Sequence, residues 1–495
     1  MGHPRRDPSY IGFFLKNALK GNEALDLTVA PEFQDLTAIY NREISESENL
    51  KVSLLGSRDR LAFVFQEPLR GDPSIRGNFT NTTQFYRIIP AYSKKLDATS
   101  SYRLSSGIGQ DELGVEVGDQ YLKLKSQVVT LRAELDKKLS SDWQSQIGID
   151  HQYARTQVDL NLPNTSGEGG VTNPISTGAQ RQAHIQSEQN NFGFYSRNDL
   201  LLSEKLSLQP GLRFDHFSQT KESFLLPRLA AKYVIDDSLF LKAGSGIYTQ
   251  PPQPQEANAD YGNPDIRSPQ SIHLTVGFEM DARAGSKEGS TYSFNLFDRQ
   301  YDKLVINSSG QTTRNGQTVF EIYNNNGRGH SYGAELQWKF TEIDYSGFIS
   351  YTWSKSTRWN PNQPEYNFQY DQTHNFNIVV AKPLANEWKI SGRFRYVTGN
   401  PYTPVVGSTY DADNEVYFPQ RGALYSERLK DFFQADLRID KKLIEDKDIW
   451  TFYLDIQNIL NTKNPESIQY SYDYSQKNNV SGLPLLPALG VKGEF

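Results

Sequence analysis

No cysteine occurs in these 495 residues, and there are only 2 methionines. The first absence excludes a disulfide framework and any cysteine-based zinc or iron–sulfur site. No run of about 18 apolar residues exists, so no spanning helix is expected. A basic excess is missing too: Lys and Arg number 52 against 58 Asp and Glu, a net charge of −6. That balance argues against nucleic acid as a partner, since such proteins carry a basic patch or stripe. The opening "MGHPRRDPSYIGFFLKNALKGNEALD" has early arginines but neither a long apolar core nor a small-residue cleavage site, so no signal peptide is read there. No Walker loop or HExxH pair is present, and the 7 histidines are dispersed. "GRGHSYG" (327–333) reads as a glycine-rich turn before a strand, not a phosphate cradle. No cofactor is expected.

What is present is aromatic and alternating. There are 28 Tyr and 27 Phe, in a chain whose mean hydropathy is only −0.63. In "DIWTFYLDIQNIL", Trp450, Phe452, Leu454 and Ile456 alternate with Thr451, Tyr453, Asp455 and Gln457. "WKISGRFRYVTG", "FFQADLRIDKK" and "KLSLQPGLRFDH" do the same, as do Val129, Leu131, Ala133 and Leu135 against Thr130, Arg132, Glu134 and Asp136. A period of two is the pattern of a strand with one apolar and one polar face. Because the polar phase holds charges as well as hydroxyls, that face is wet.

Connections alternate in length. Tight turns are read at "LANE" near Asn386, "IEDKD" around Asp446 and "LSSD" near Ser141. Long polar loops are read at about 160–182, 250–270, 303–329, 357–371, 399–430 and 461–485. Short turns on one side and long loops on the other mark an all-β, large antiparallel transmembrane β-barrel. Trp388, Tyr345 and Trp143 fall just inside the short-turn ends, where an interfacial aromatic girdle belongs. A β-sandwich also alternates, but its second face would not carry so many unpartnered charges. The ending "PALGVKGEF" alternates to its last residue, with Leu489, Val491 and Phe495 in one phase. It reads as a terminal strand that pairs with the first and so removes the sheet's edges.

The stretches "LQPGLRFD", "PRLAAKY", "GNPDIRSPQSIHLTVGFE", "YGAELQW", "YTWSKS", "DQTHNFNIVV", "TGNPYTP", "LDIQNILNTKN" and "LGVKGEF", in this order, resemble those of TonB-dependent outer-membrane receptors. "LKVSLLGSRDRLAFVF" (50–65) is similar to an early barrel strand of that family. The resemblance implies a Gram-negative outer-membrane barrel of about twenty-two strands with a plug filling its lumen. The residues here provide roughly nineteen strands, beginning with 24–43, with 1–23 as the remnant of an early surface loop and 24–495 as barrel. The expectation is therefore a truncated or split receptor without plug. Partners implied by the resemblance are outer-membrane lipid and lipopolysaccharide, the barrel-assembly machinery reading Phe495, Val491 and Leu489, the TonB system if a plug is supplied, and a small-molecule ligand such as a metal chelate.

Candidate ligand-binding residues are Arg358, Trp359, Tyr366 and Tyr370 in one loop, with Tyr261 and Tyr402 in two others. Aromatics give contact area at small entropic cost, and arginine suits an anionic chelate. Asp411, Asp413 and Glu415 have spacing that suits a hard cation, although the rest of a calcium loop is missing. No catalytic residue is assigned. Two functions stay open: a receptor for a scarce nutrient such as an iron–siderophore complex, and a passive pore or surface structural barrel. A soluble all-β carbohydrate-active enzyme is the third reading.

Overall fold

The computed structural model describes residues 5–6, 25–65, 77–163, 180–259 and 262–494, save 284, 287, 309–310, 315, 321, 362, 414 and 447. Among them there is no helix long and apolar enough to cross a membrane. The described chain forms a 21-stranded antiparallel sheet. Two members are short appendages, Arg5–Arg6 and Gln363–Asn367, leaving nineteen long strands from Leu25–Ser45 to Leu486–Glu494.

Each long strand pairs with its neighbour in sequence, which is the up-and-down order of a barrel wall. Tight turns join strands on one side, among them 95–100, 138–143, 201–206, 234–239 and 384–388. Their geometry follows from their residues. Asp97 accepts the Thr99 amide and hydroxyl, both at 2.7 Å, and the Asp236 carboxylate accepts the Ser238 and Leu239 amides at 2.9 and 3.0 Å. At 384–388 the reversal is made by Asn386 and Glu387, both at positive φ. The other side carries the long loops, but two of its connections, 117–120 and 217–222, are also short.

Outward positions of the lower wall, nearest the short turns, form apolar rows across the register. Ile149 faces Phe194, Phe194 faces Phe214, and Phe214 faces Leu225. Further round, Val276 faces Leu296, Phe278 faces Phe294, and Phe294 faces Leu336. Most of these side chains are exposed; Leu225 reaches 63% and Ile272, in the same phase, 52%. So large a continuous apolar surface belongs against hydrocarbon, not water. Trp143, Tyr345 and Trp388 are exposed at its short-turn margin, as a girdle requires.

The strands are taller than a bilayer. Gln180–Leu201 has 22 residues, about 70 Å at about 3.3 Å each, whereas a tilted crossing needs about 9–11 residues. In the upper half the apolar phase changes sides. Val158, Leu160 and Ile185 are almost fully buried and pack with Leu122, Leu124, Leu162, Ala183 and Tyr323. Ile185 and Phe194 share one strand at an odd separation with no register shift, so they point to opposite faces. The upper wall therefore builds a small internal core above the membrane.

The expected joining of the last strand to the first does not occur among the described residues. Leu486–Glu494 pairs only with Asp448–Gln457, and the free side of Leu25–Ser45 is met only by Arg5–Arg6, at Gln34 and Asp35. With nineteen alternating long strands among the described residues the first and last run in the same direction, so an antiparallel ladder does not join them. Phe495, most of 1–23 and Tyr261 lie outside the described residues. "GRGHSYG" is not a turn but part of the strand Tyr323–Thr341.

Candidate ligand-binding mouth and lumen wall

At the long-loop end, Arg358 and Tyr366 face each other across the hairpin that Ser346–Asn360 makes with Gln363–Asn367. The Arg358 guanidinium lies over two rings, 4.0 Å from the centroid of Phe368 and 4.9 Å from that of Tyr301. Its Nη1 donates to the Thr357 carbonyl at 2.8 Å. Tyr366 is buried and stacks on Tyr425, with centroids 6.0 Å apart.

A buried carboxylate fixes this arrangement. Asp371 is 1% exposed and accepts the Ser356 amide at 2.6 Å, the Lys355 ammonium at 3.3 Å and Nη2 of Arg428. Arg428 also donates to the Gly399 carbonyl at 3.1 Å. Asp371 thus clamps the loop before it to the loop 397–432. A buried acid with two cations and a backbone donor is satisfied, and removing it would strand Arg428.

The sequence candidates separate into two groups. Arg358 and Tyr366 come together, and the Tyr425 amide, 3.1 Å from the Thr403 hydroxyl, ties them to the segment of Tyr402. The Tyr402 hydroxyl donates to Glu427, and the Lys477 ammonium lies 3.4 Å from it. Burial and the Glu427 carboxylate push the Tyr402 phenol up; the hydrogen bond from Tyr402 holds Glu427 down; and the hydrogen bond with Tyr402 raises Lys477. Trp359 neighbours Arg358 on one strand and therefore points to the other face. Tyr370 is exposed and lies edge-on to Phe368, the ring that Arg358 covers. Asp411 and Asp413 form the end of a hairpin, where Asp411 Oδ1 accepts the Asp413 amide at 3.0 Å. The described residues hold no group of three or more side chains placed to bind a metal; Asp411, Asp413 and Glu415 lie at the turn between the paired strands Val405–Asp411 and Val416–Arg421.

Below the mouth the inner wall is charged at the depth of the lipid-facing band. Asp150 bridges Arg132 at 2.5 Å and Arg213 at 2.7 Å, and Arg213 also holds Asp215 at 2.8 Å. The Tyr195 hydroxyl donates to Glu134 at 2.6 Å, and its ring lies under Arg213, 5.6 Å away. Gly148 makes room for that ring: a Cβ there would come within 2.3 Å of it. Two adjoining recesses of about 670 and 580 Å³ share Arg132, Arg213 and Arg228. The sequence places Arg132 and Glu134 on a wet face but assigns a role to none of these residues. The signal lies in cross-strand partners 18 to 63 residues apart, which spacing along one strand cannot show.

A family model described as TonB dependent receptor-like, beta-barrel matches residues 19–459. Among curated proteins none matches this chain. Several solved structures share the fold. The ferric-catecholate import receptor Fiu from K12 E. coli is 11% identical, over 94% of this chain and 75% of that one, with a TM-score of 0.66. The ferripyoverdine receptor of the outer membrane of Pseudomonas aeruginosa is 10% identical, over 93% and 64%, at 0.69. The FrpB iron transporter from Neisseria meningitidis (F3-3 variant) is 14% identical, over 94% and 72%, at 0.66. The chain thus spans between 64% and 75% of the length of these three proteins. With the family match running over most of its length and the same wall in each of these structures, the chain belongs to the TonB-dependent receptor-like β-barrel family, whose members are transporters, not enzymes.

Proposed function

We propose that this chain forms the outer-membrane wall of a Gram-negative receptor that captures a scarce small-molecule nutrient, of the iron–siderophore class, and imports it with energy supplied through TonB. The observation that carries the reading is the pairing of opposite faces at one depth: Phe214 and Leu225 toward hydrocarbon, Asp150, Arg213 and Asp215 toward the lumen. Charges at that depth need water or partners, and an aqueous passage supplies both. The mouth adds the second support. Arg358 between two rings and the stacked Tyr366–Tyr425 pair form a rigid aromatic and cationic surface held by Asp371.

The barrel's part is binding and enclosure; no covalent step is assigned to it. In this reading the wall contacts outer-membrane lipid and lipopolysaccharide, and the outward Leu489 and Val491 of the last strand offer the barrel-assembly machinery an apolar stripe. The TonB system acts through a plug.

Titration of the refolded chain in detergent with ferric catecholate, hydroxamate and citrate complexes, followed by tyrosine and tryptophan fluorescence, tests this. Saturable quenching by one class, weakened at least tenfold in Arg358→Ala, is expected; one hydrogen bond to a charged group, about 1.5–3 kcal/mol, sets that size. No saturable response to any complex, together with open conductance in planar bilayers, would favour the passive pore.

A further inference from the structure

Read across the register, one row of inward positions climbs the lumen wall: Arg197 faces Gly211, Gly211 faces Arg228, Arg228 faces Gly246, Gly246 faces His273, and His273 faces Arg299. The row contains three arginines and a histidine but no carboxylate. It starts near the short-turn end of its first strand, at Leu201, and because the strands tilt it reaches the upper half of Gly289–Asn307 at Arg299. From there Arg299 faces Ser331, Ser331 faces Ser356, and the two hydroxyls lie 2.7 Å apart. Ser356 is two residues below Arg358, whose guanidinium covers the ring of Tyr301. One cationic row therefore runs from the mouth to the lower wall.

Two features separate it from an ordinary charged face. Three other arginines of the wall are neutralised, Arg132 and Arg213 by Asp150 and Asp215, and Arg197 at the foot of the row by Asp199 at 3.5 Å, whereas Arg228 and Arg299 have no carboxylate within 4 Å among the described residues. Rings support them instead: Arg228 lies 4.5 Å from the Tyr248 centroid and Arg299 5.0 Å from that of Phe297. The glycines leave room beside them. A Cβ at Gly246 would meet Arg228 Cγ at 3.0 Å and the Tyr248 ring at 3.1 Å. The recess of about 580 Å³ lined by Arg228, His273 and Arg299 is a space into which these guanidiniums present donors. In a chain of net charge −6, this is a local inversion of sign.

We propose that the Arg228–His273–Arg299 row is an anion-binding track that selects ligands bearing carboxylate or phosphate groups and passes them along the lumen wall. Forked guanidiniums pair with either group in two-point fashion, and several weak stations in sequence allow release as well as capture. The inference rests on the proposed receptor function and narrows its ligand to an anion.

Isothermal titration of the folded chain in detergent at low ionic strength, with citrate and inorganic pyrophosphate as probes, tests it. Saturable binding is expected, weakened at least tenfold in the Arg228→Gln/Arg299→Gln double variant, largely retained in Arg228→Lys/Arg299→Lys, and reduced by added salt. Heat-modifiable gel mobility identifies any variant that has not folded, and Arg299→Gln alone then serves in its place. Absence of binding to both probes, or equal binding by the folded double variant, overturns the track. The iron-complex panel above keeps the two readings apart: binding of a neutral hydroxamate complex as strong as that of ferric citrate sinks the track alone, whereas failure of every complex sinks the receptor reading.

Discussion

The lower and upper halves of the same strands solve opposite problems. In Gln120–Lys138, the outward Leu131, Ala133 and Leu135 meet hydrocarbon near the short turns, while Leu122 and Leu124 turn inward above. Trp143–Pro163 repeats this with Ile149 against Val158 and Leu160, and Gln180–Leu201 with Phe194 against Ile185. Below, solvent is oil outside and water inside; above, it is water outside, so the only place to bury apolar surface is inward. One backbone ladder serves both because side-chain direction depends only on parity. The solvent, not the sheet, decides which phase is apolar.

Substitutions should tell the halves apart. The largest effect is expected for Ile185→Ala. Its site is enclosed by protein, so a cavity remains and about 2–5 kcal/mol of stability is lost, read by urea unfolding in detergent. Phe214→Arg follows, at about 2–4 kcal/mol, because it places a charge on the lipid face near mid-depth. By contrast Phe214→Ala should cost only about 1–2 kcal/mol, since acyl chains or detergent fill the space. A full cavity penalty at Phe214 would show that this face is packed against protein. A charge at Gln157, outward but above the membrane and opposite Lys125, should be tolerated: Gln157→Glu is expected within about 0.5 kcal/mol.

The smallest effects concern protons. Arg283 holds the Asp281 carboxyl at about 2, and hydrogen bonds from Thr99 and Ser238 hold Asp97 and Asp236 below the usual carboxylate range. Their folded pKa values are depressed, so they stabilise the turns above the ordinary carboxylate value near 4, and that contribution is lost as pH falls toward 2. Glu256, in the loop 250–270 of the upper half, has the opposite sign: burial raises it. Its folded state holds a proton longer than the unfolded chain, so its contribution is lost as pH rises through the raised value. Hydrogen exchange at pH 4 and pH 7 should show the 250–259 segment better protected at the lower pH, and the turns 95–100 and 234–239 unchanged.

Much of the wall was legible in sequence. Strand number, the outward phase of Leu131, Leu212 and Phe452, and the girdle at Trp143, Tyr345 and Trp388 follow from alternation and turn chemistry alone. The inward shift was equally present: "YLKLKSQVVTLRAEL" slips phase at Val128–Val129. It is legible only once an upper zone without lipid is imagined. The mouth was half legible. Loop aromatics marked the region, but Arg358 and Trp359 are neighbours in sequence and so stand on opposite faces, and Asp371 was invisible because its partner Arg428 comes from another loop. The arginine row depends on the register of six strands, which no local pattern encodes. The seam between first and last strands was misjudged because alternation describes a strand's faces and says nothing of its free edge.

Since the chain has no cysteine, single cysteines can be introduced along 183–196 and spin-labelled in lipid vesicles, and their collision rates with oxygen and with a water-soluble nickel chelate compared. Labels at 192 and 194 should meet oxygen while those at 193 and 195 meet the chelate, and even positions from 184 to 188 should meet the chelate while 183 and 185 meet neither well. A single uniform phase along the strand, or even positions near 192 reached freely by the chelate, would contradict a wall that is greasy outside below and greasy inside above.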